Sequence, residues 1–158
     1  MPTLVFESEL RASREQLWDW ITDVRCLRRE MRPYILMTAP RGVRRLRDLD
    51  PAPGVPLFVS VILLFGFLPI DYSRLTLHSF EEGHGFREQS SMGSMRLWTH
   101  SRQLLVNPRR AGMVVLRDTL CFEPRFAVRP TVWFVQRFFS HRHAVLRRSF
   151  NGAAPRAG

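Results

Sequence analysis

At 158 residues, 45% of them hydrophobic, with four Trp and twelve Phe, the chain has the size and composition of one globular domain and excludes a disordered or fibrous protein. Its formal net charge of +10 rests on 24 basic residues, every one of them Arg. They are scattered and come without a helix-turn-helix, RNA-binding or finger signature, which sets nucleic acid aside as a partner.

The two cysteines, Cys26 and Cys121, are too few and too isolated for a disulfide framework or a zinc site. Cys121 is expected to be a buried free thiol in an apolar strand.

Met1 leads into Thr3-Leu4-Val5-Phe6-Glu7 with no basic-then-apolar leader, so a cytoplasmic location is expected. Residues 3–10 read as a first strand. Ser13 and Gln16 then have the spacing of a capping box, and Leu17, Trp18 and Ile21 share one face of the helix that follows. Asp23 caps a second short helix that runs to about Arg32 and stops at Pro33. Residues 34–39 form a second strand.

Residues 40–56 hold four Pro, two Gly and four Arg and read as a long loop, either a lid or a plain connection. The apolar run Val55 to Ile70 is shorter than the ~20 residues of a membrane span and contains Pro56, Ser60, Gly66 and Pro69. It is read as a strand buried on both faces. Strands are predicted at 57–68, 70–81, 85–91, 95–106 and 113–122, with hairpin turns at Glu82-Gly83-His84-Gly85 and Pro108 to Gly112. In the last strand Val114, Leu116, Asp118, Leu120 and Phe122 share a face, since strand side chains alternate with period two. A carboxylate among four hydrophobes must be paired or face water.

A helix is predicted over 130–150, with Phe134, Val135, Phe138, Phe139, Val145, Leu146 and Phe150 as its apolar stripe and Arg142 inside that stripe. Residues 1–152 are read as a single domain and 153–158 as a disordered tail.

The motif Phe86-x-Glu88-x-Ser90, Gly93, Trp98-x-His100, then Asp118 and Pro124, follows the element order strand, two helices, antiparallel sheet, long helix. It resembles the START/polyketide-cyclase-like superfamily, also called Bet v 1-like or SRPBCC, in its uncharacterised bacterial ligand-binding-type members. Four positions depart from that pattern: Glu88 stands for Asp, Ser90 for Gln, Ser94 for the Pro after the Gly, and Arg102 for the second His of a pair. The resemblance implies an α+β helix-grip fold, a curved antiparallel sheet around the C-terminal helix, with no agreed activity.

Within such a fold His100 is either a ligand hydrogen bonder or general acid/base, or a buried imidazole satisfied by Asp118 on the next strand. Glu88 and Asp118 read as its acidic partners. Arg142 either locks the helix to the sheet through Glu88 or Asp118, or binds a ligand anion. Trp98, Phe122 and Phe138 are expected to line the cavity, and Tyr72 and His78 either line it or pack ordinarily. His141 and His143 point about 200° apart on a helix and cannot share a metal, so neither metal nor cofactor is expected.

The expected function is binding of a small hydrophobic or amphipathic molecule such as a polyketide, lipid, quinone or aromatic metabolite, by a monomer or homodimer. Two alternatives stand beside it. One is a cyclase or aromatase using His100 and Arg142; the other is a lipid carrier docking at a membrane through residues 57–68 or 40–56.

Overall fold

The computed structural model describes residues 2–106 and 108–152; the tail expected at 153–158 lies outside them. The first strand, β1, spans Thr3–Arg11 and is followed by helices α1 (Arg14–Ile21) and α2 (Val24–Met31). Then come β2 (Ile35–Met37), β3 (Pro56–Leu64), β4 (Leu68–Glu81), β5 (Gly85–Gln89), β6 (Ser91–Met92), β7 (Met95–Val106) and β8 (Met113–Pro124). Helix α3, Val128–Asn151, closes the order.

Local chemistry sets the helix starts. Ser13 accepts from the Gln16 amide while the Gln16 side chain accepts from the Ser13 amide, so α1 begins with a complete capping box. Asp23 accepts from the amides of Arg25 and Cys26 to start α2. Leu17, Trp18 and Ile21 are buried as their spacing requires.

The strands form one antiparallel sheet in the order β1-β8-β7-β5-β4-β3-β2, with β6 paired to β4. Strongly curled, it grips α3, and the fold is the helix-grip α+β architecture. Gly85 lies so close to the Arg102 backbone that a Cβ there would meet its carbonyl oxygen, and this lets β5 and β7 pair.

The inner face is layered. Leu10, Leu17, Ile21, Leu116 and Leu146 belong to one apolar cluster, and Met95, Leu120, Phe122, Val135 and Phe139 to another. Asp118 lies between Leu116 and Leu120 on β8, and Arg142 and His143 lie between Phe139 and Leu146 on α3. On β7, His100 and Arg102 precede Leu104. A buried polar belt therefore crosses the core between two apolar layers.

Several expectations are corrected. The run 57–68 is not one strand: β3 stops at Leu64 and the chain turns at Phe65-Gly66-Phe67, with Phe65 and Gly66 both at positive φ. Nor is β3 buried on both faces. Ser60 and Ile62 point inward, whereas Val59 and Val61 are exposed because no layer covers the outer side of the sheet there.

The predicted strand 85–91 breaks at Ser90, whose hydroxyl turns back to Glu88, and β6 moves over to β4. Residues 40–56 include a single 3-10 turn at Leu46–Leu49 and a bridge between Asp23 and Arg45. Cys121 is a half-buried free thiol on the outer face rather than a fully buried one.

Candidate functional site

Asp118 is fully buried, and both of its oxygens are occupied. Oδ1 accepts from Arg102 Nε at 2.8 Å and is paired with His100 Nε2 at 2.7 Å. Oδ2 accepts from Arg102 Nη2 at 2.9 Å and is paired with His143 Nε2 at 2.7 Å. Arg102 uses the rest of its fork on Glu30 of α2, with Nη1 to Oε2 at 3.0 Å and Nη2 to Oε1 at 2.8 Å. Glu30 also accepts from Trp20 Nε1 at 2.8 Å. One guanidinium thus spans two fully buried carboxylates in bidentate geometry, the arrangement that arginine suits better than lysine.

Two further groups tie α3 into the belt. Arg147 donates to Ser8 Oγ at 3.0 Å, and Ser8 Oγ lies 2.7 Å from His143 Nδ1. With its hydroxyl proton directed to Nδ1, Ser8 leaves His143 Nε2–H to donate to Asp118. Arg142 donates from Nε to Glu30 Oε1 at 3.3 Å and stacks over Phe139, 4.9 Å from the ring centre.

Burial works against every charge here, and the pairing decides the outcome. Burial would raise the Asp118 carboxyl, but Arg102 and His100 beside it hold it well below the usual range. Glu30 is likewise raised by burial and lowered further by Arg102 and Arg142, ending below its ordinary value. Burial favours a neutral His100, yet Asp118 and Glu88 outweigh it and raise the imidazole. Arg142 is the exception: burial and the adjacent Arg102 both push its guanidinium downward.

Two cavities open on this belt. The larger, about 370 Å³, lies between the sheet and the first turns of α3 and is walled by Ile62, Met92, Met95, Trp98, Phe134, Phe138 and Phe139. The smaller, about 110 Å³, lies nearer α2, against Leu27, Leu46, Phe58 and Leu77. Met31, Met37, Glu88, His100 and Arg142 border both, so these side chains form a partition between two chambers.

Of the residues singled out from the sequence, Glu88, Trp98, His100, Phe138 and Arg142 meet at the larger chamber. Asp118 and Phe122 do not reach its surface. Both are fully buried, Asp118 bound to His100 and Phe122 in contact with Trp98. Tyr72 and His78 face outward, because the inward positions of β4 are Ser73, Leu75 and Leu77. The lock expected between Arg142 and Glu88 or Asp118 goes instead to Glu30.

Sequence reasoning passed over Glu30, Arg102 and His143 as site residues. Each carried a signal. Glu30 sits at i+3 from Leu27, beside Met31, on the face that α2 buries; Arg102 alternates with His100 and Leu104; His143 lies at i+4 from Phe139. Among the described residues no group of three or more His, Cys, Asp or Glu side chains is arranged to hold a metal ion.

Residues 8–150 match the family described as "Domain of unknown function (DUF8410)". No curated protein matches the chain by sequence. Similar solved structures include the protein XoxI from Bacillus cereus, at 15% identity, 96% coverage of both chains and a TM-score of 0.66. A START superfamily protein from Mycobacterium smegmatis is similar at 11% identity, with 94% of this chain and 97% of that one covered and a TM-score of 0.62. Ara h 8.0201 is similar at 12% identity, with 94% and 96% covered and a TM-score of 0.62. These likenesses establish the START/Bet v 1-like fold.

Proposed function

The chain belongs to the DUF8410 family, and we propose that it binds one small hydrophobic or amphipathic molecule in the chamber between the sheet and α3. The observation that carries this reading is the chamber itself. At about 370 Å³ it falls in the range of small-molecule sites, and its walls are aromatic and aliphatic apart from a few converging polar groups. Apolar walls supply affinity, and Arg142 at the partition, beside the paired Glu88 and His100, orients the ligand's polar end.

The fold neighbours support the reading at the level of architecture: a START superfamily protein shares the same grip around the last helix. The geometry of His100 favours binding over proton abstraction. Its Nε2 lies against Asp118, and its Nδ1 is directed at Glu88 Oε2, 3.7 Å away. An imidazole facing a carboxylate on each side has no nitrogen to spare as a base.

Nile red, a neutral apolar dye, tests the reading. It should bind the native protein with about 1:1 stoichiometry and raise the melting temperature by mass action. A native state that neither binds the dye nor is stabilised by it removes the cavity reading.

A second reading concerns where the ligand is collected. Ile70 and Phe126 line the larger chamber and are exposed. Phe65, Phe67 and Leu68, just before Ile70 in the chain, and Val128 and Trp133, just after Phe126, are exposed too, and we read the seven as an apolar rim. Arg125, Arg129 and Arg137 are exposed beside the rim residues of α3, and Arg137 stacks on Trp133. Apolar and aromatic tips flanked by Arg suit the interface of an anionic bilayer, which favours a membrane-docking carrier.

A further inference from the structure

Resting on the cavity reading above, we propose that the ligand is an amphipathic carboxylic acid. Its carboxylate is held at the partition by the terminal nitrogens of Arg142 and by the hydroxyls of Ser60 and Ser73, with its apolar body in the larger chamber.

Three buried polar groups point this way. Both buried arginines of the belt carry the same fork of donors, but they spend it differently. Arg102 places Nε, Nη1 and Nη2 on Glu30 and Asp118. Arg142 makes one long bond from Nε, and its Nη1 and Nη2 have no hydrogen-bond partner among the described residues, although the side chain is buried and borders both chambers. The Nη1/Nη2 edge is the edge that takes a carboxylate end-on with two parallel bonds.

Ser60 and Ser73 are the second and third groups. They are cross-strand partners on β3 and β4, exposed by 0% and 1%, and neither hydroxyl has a hydrogen-bond partner among the described residues. Ser60 belongs to the wall of the smaller chamber and Ser73 to that of the larger, so the pair sits across the same partition as Arg142. Buried hydroxyls are nearly always satisfied, so two adjacent orphans beside these chambers call for a partner, which the carboxylate of a bound ligand would supply.

All the unspent groups can donate. The one carboxylate at the partition, Glu88, has Oε1 occupied by the Ser90 hydroxyl and Oε2 turned toward His100. A ligand anion also supplies what Arg142 lacks. Burial and Arg102 both disfavour its charge, and the carboxylate it is paired with, Glu30, is shared with Arg102. A neutral alcohol of the same length would fill the chamber but leave the guanidinium edge half used.

Decanoate and decan-1-ol, matched in chain and different in head, provide the test by calorimetry at neutral pH. Decanoate should bind at least about tenfold more tightly. Arg142→Gln should abolish that preference. Ser60→Ala and Ser73→Ala should each weaken decanoate several-fold, leave decan-1-ol unchanged, and raise the ligand-free melting temperature because an unsatisfied hydroxyl is gone. The serine variants keep the question open to measurement if Arg142→Gln does not fold. Equal affinities for acid and alcohol, or decanoate affinity indifferent to both serine changes, would overturn the carboxylate assignment while the cavity reading stood. Binding of neither probe, with no response to Nile red, would overturn both.

Discussion

Arg102 holds the belt together, and its removal separates electrostatic locking from simple packing. Two carboxylates with no exposed surface depend on it, and both sit below their ordinary pKa because of it. Arg102→Met keeps most of the volume but strands those charges, and breaking such a buried pair typically costs about 3–5 kcal/mol. Arg142→Met should cost less, since Glu30 keeps two bonds from Arg102 and one from Trp20. Urea denaturation of the two variants orders them; a larger loss for Arg142→Met would contradict this assignment of roles.

The same belt fixes the pH response. The raised His100 contributes stability that is complete below its unfolded value, about 6.5, and is lost as pH climbs through the higher folded value. The lowered Asp118 and Glu30 contribute stability that is complete above their unfolded values, about 4, and is lost as pH falls through the lower folded ones. Melting temperature should therefore be greatest between about pH 4.5 and 6.5. His100→Gln should flatten the decline on the alkaline side, and an unchanged decline in that variant would rule His100 out as its source.

Among the elements, α3 was the most legible and the β3–β4 hairpin the least. The α3 stripe at 135, 139, 142, 146 follows helical spacing and is buried as read, and the helix starts two residues early at Val128. Both helix caps were visible because a cap is a local event, decided within four residues. The predicted strands 57–68 and 70–81 leave Pro69 between them, whereas Gly66 at positive φ makes the turn and Pro69 is tolerated inside β4. Which buried carboxylate meets which guanidinium was not legible. Glu30 and Arg102 lie 72 residues apart, and only the packing of α2 against α3 and the sheet brings them together.

Phe139 tests the grip itself. It is 1% exposed, stacked 5.7 Å from Phe6 of β1 and edge-on to His100 of β7 at 5.2 Å. Phe139→Ala should cost about 3–5 kcal/mol by loss of that packing, against about 1 kcal/mol for removal of the α2 cap in Asp23→Ala. Equal, small losses in both would mean that α3 is not held by its aromatic face.

On the scale of the whole molecule, the apolar rim and the charge of +10 belong to one question. Seven large hydrophobes are exposed, two of them lining the chamber, and apolar surface of that kind marks an interaction surface. A bilayer, a second copy and a protein partner would all cover it, but they respond differently to salt and to lipid charge. Each Arg near an anionic surface adds roughly 1 kcal/mol of attraction that falls off within a Debye length. The membrane reading therefore expects co-sedimentation with phosphatidylglycerol vesicles, little with phosphatidylcholine, and release as ionic strength rises. Phe67→Glu and Trp133→Glu remove exposed side chains, 73% and 62% accessible, so neither should disturb the core or Nile red binding. Both should lower vesicle binding. Concentration-dependent dimers abolished by the same substitutions, with no vesicle binding at low salt, would assign the rim to a second copy of the chain. The cavity would then fill from solution rather than from a membrane.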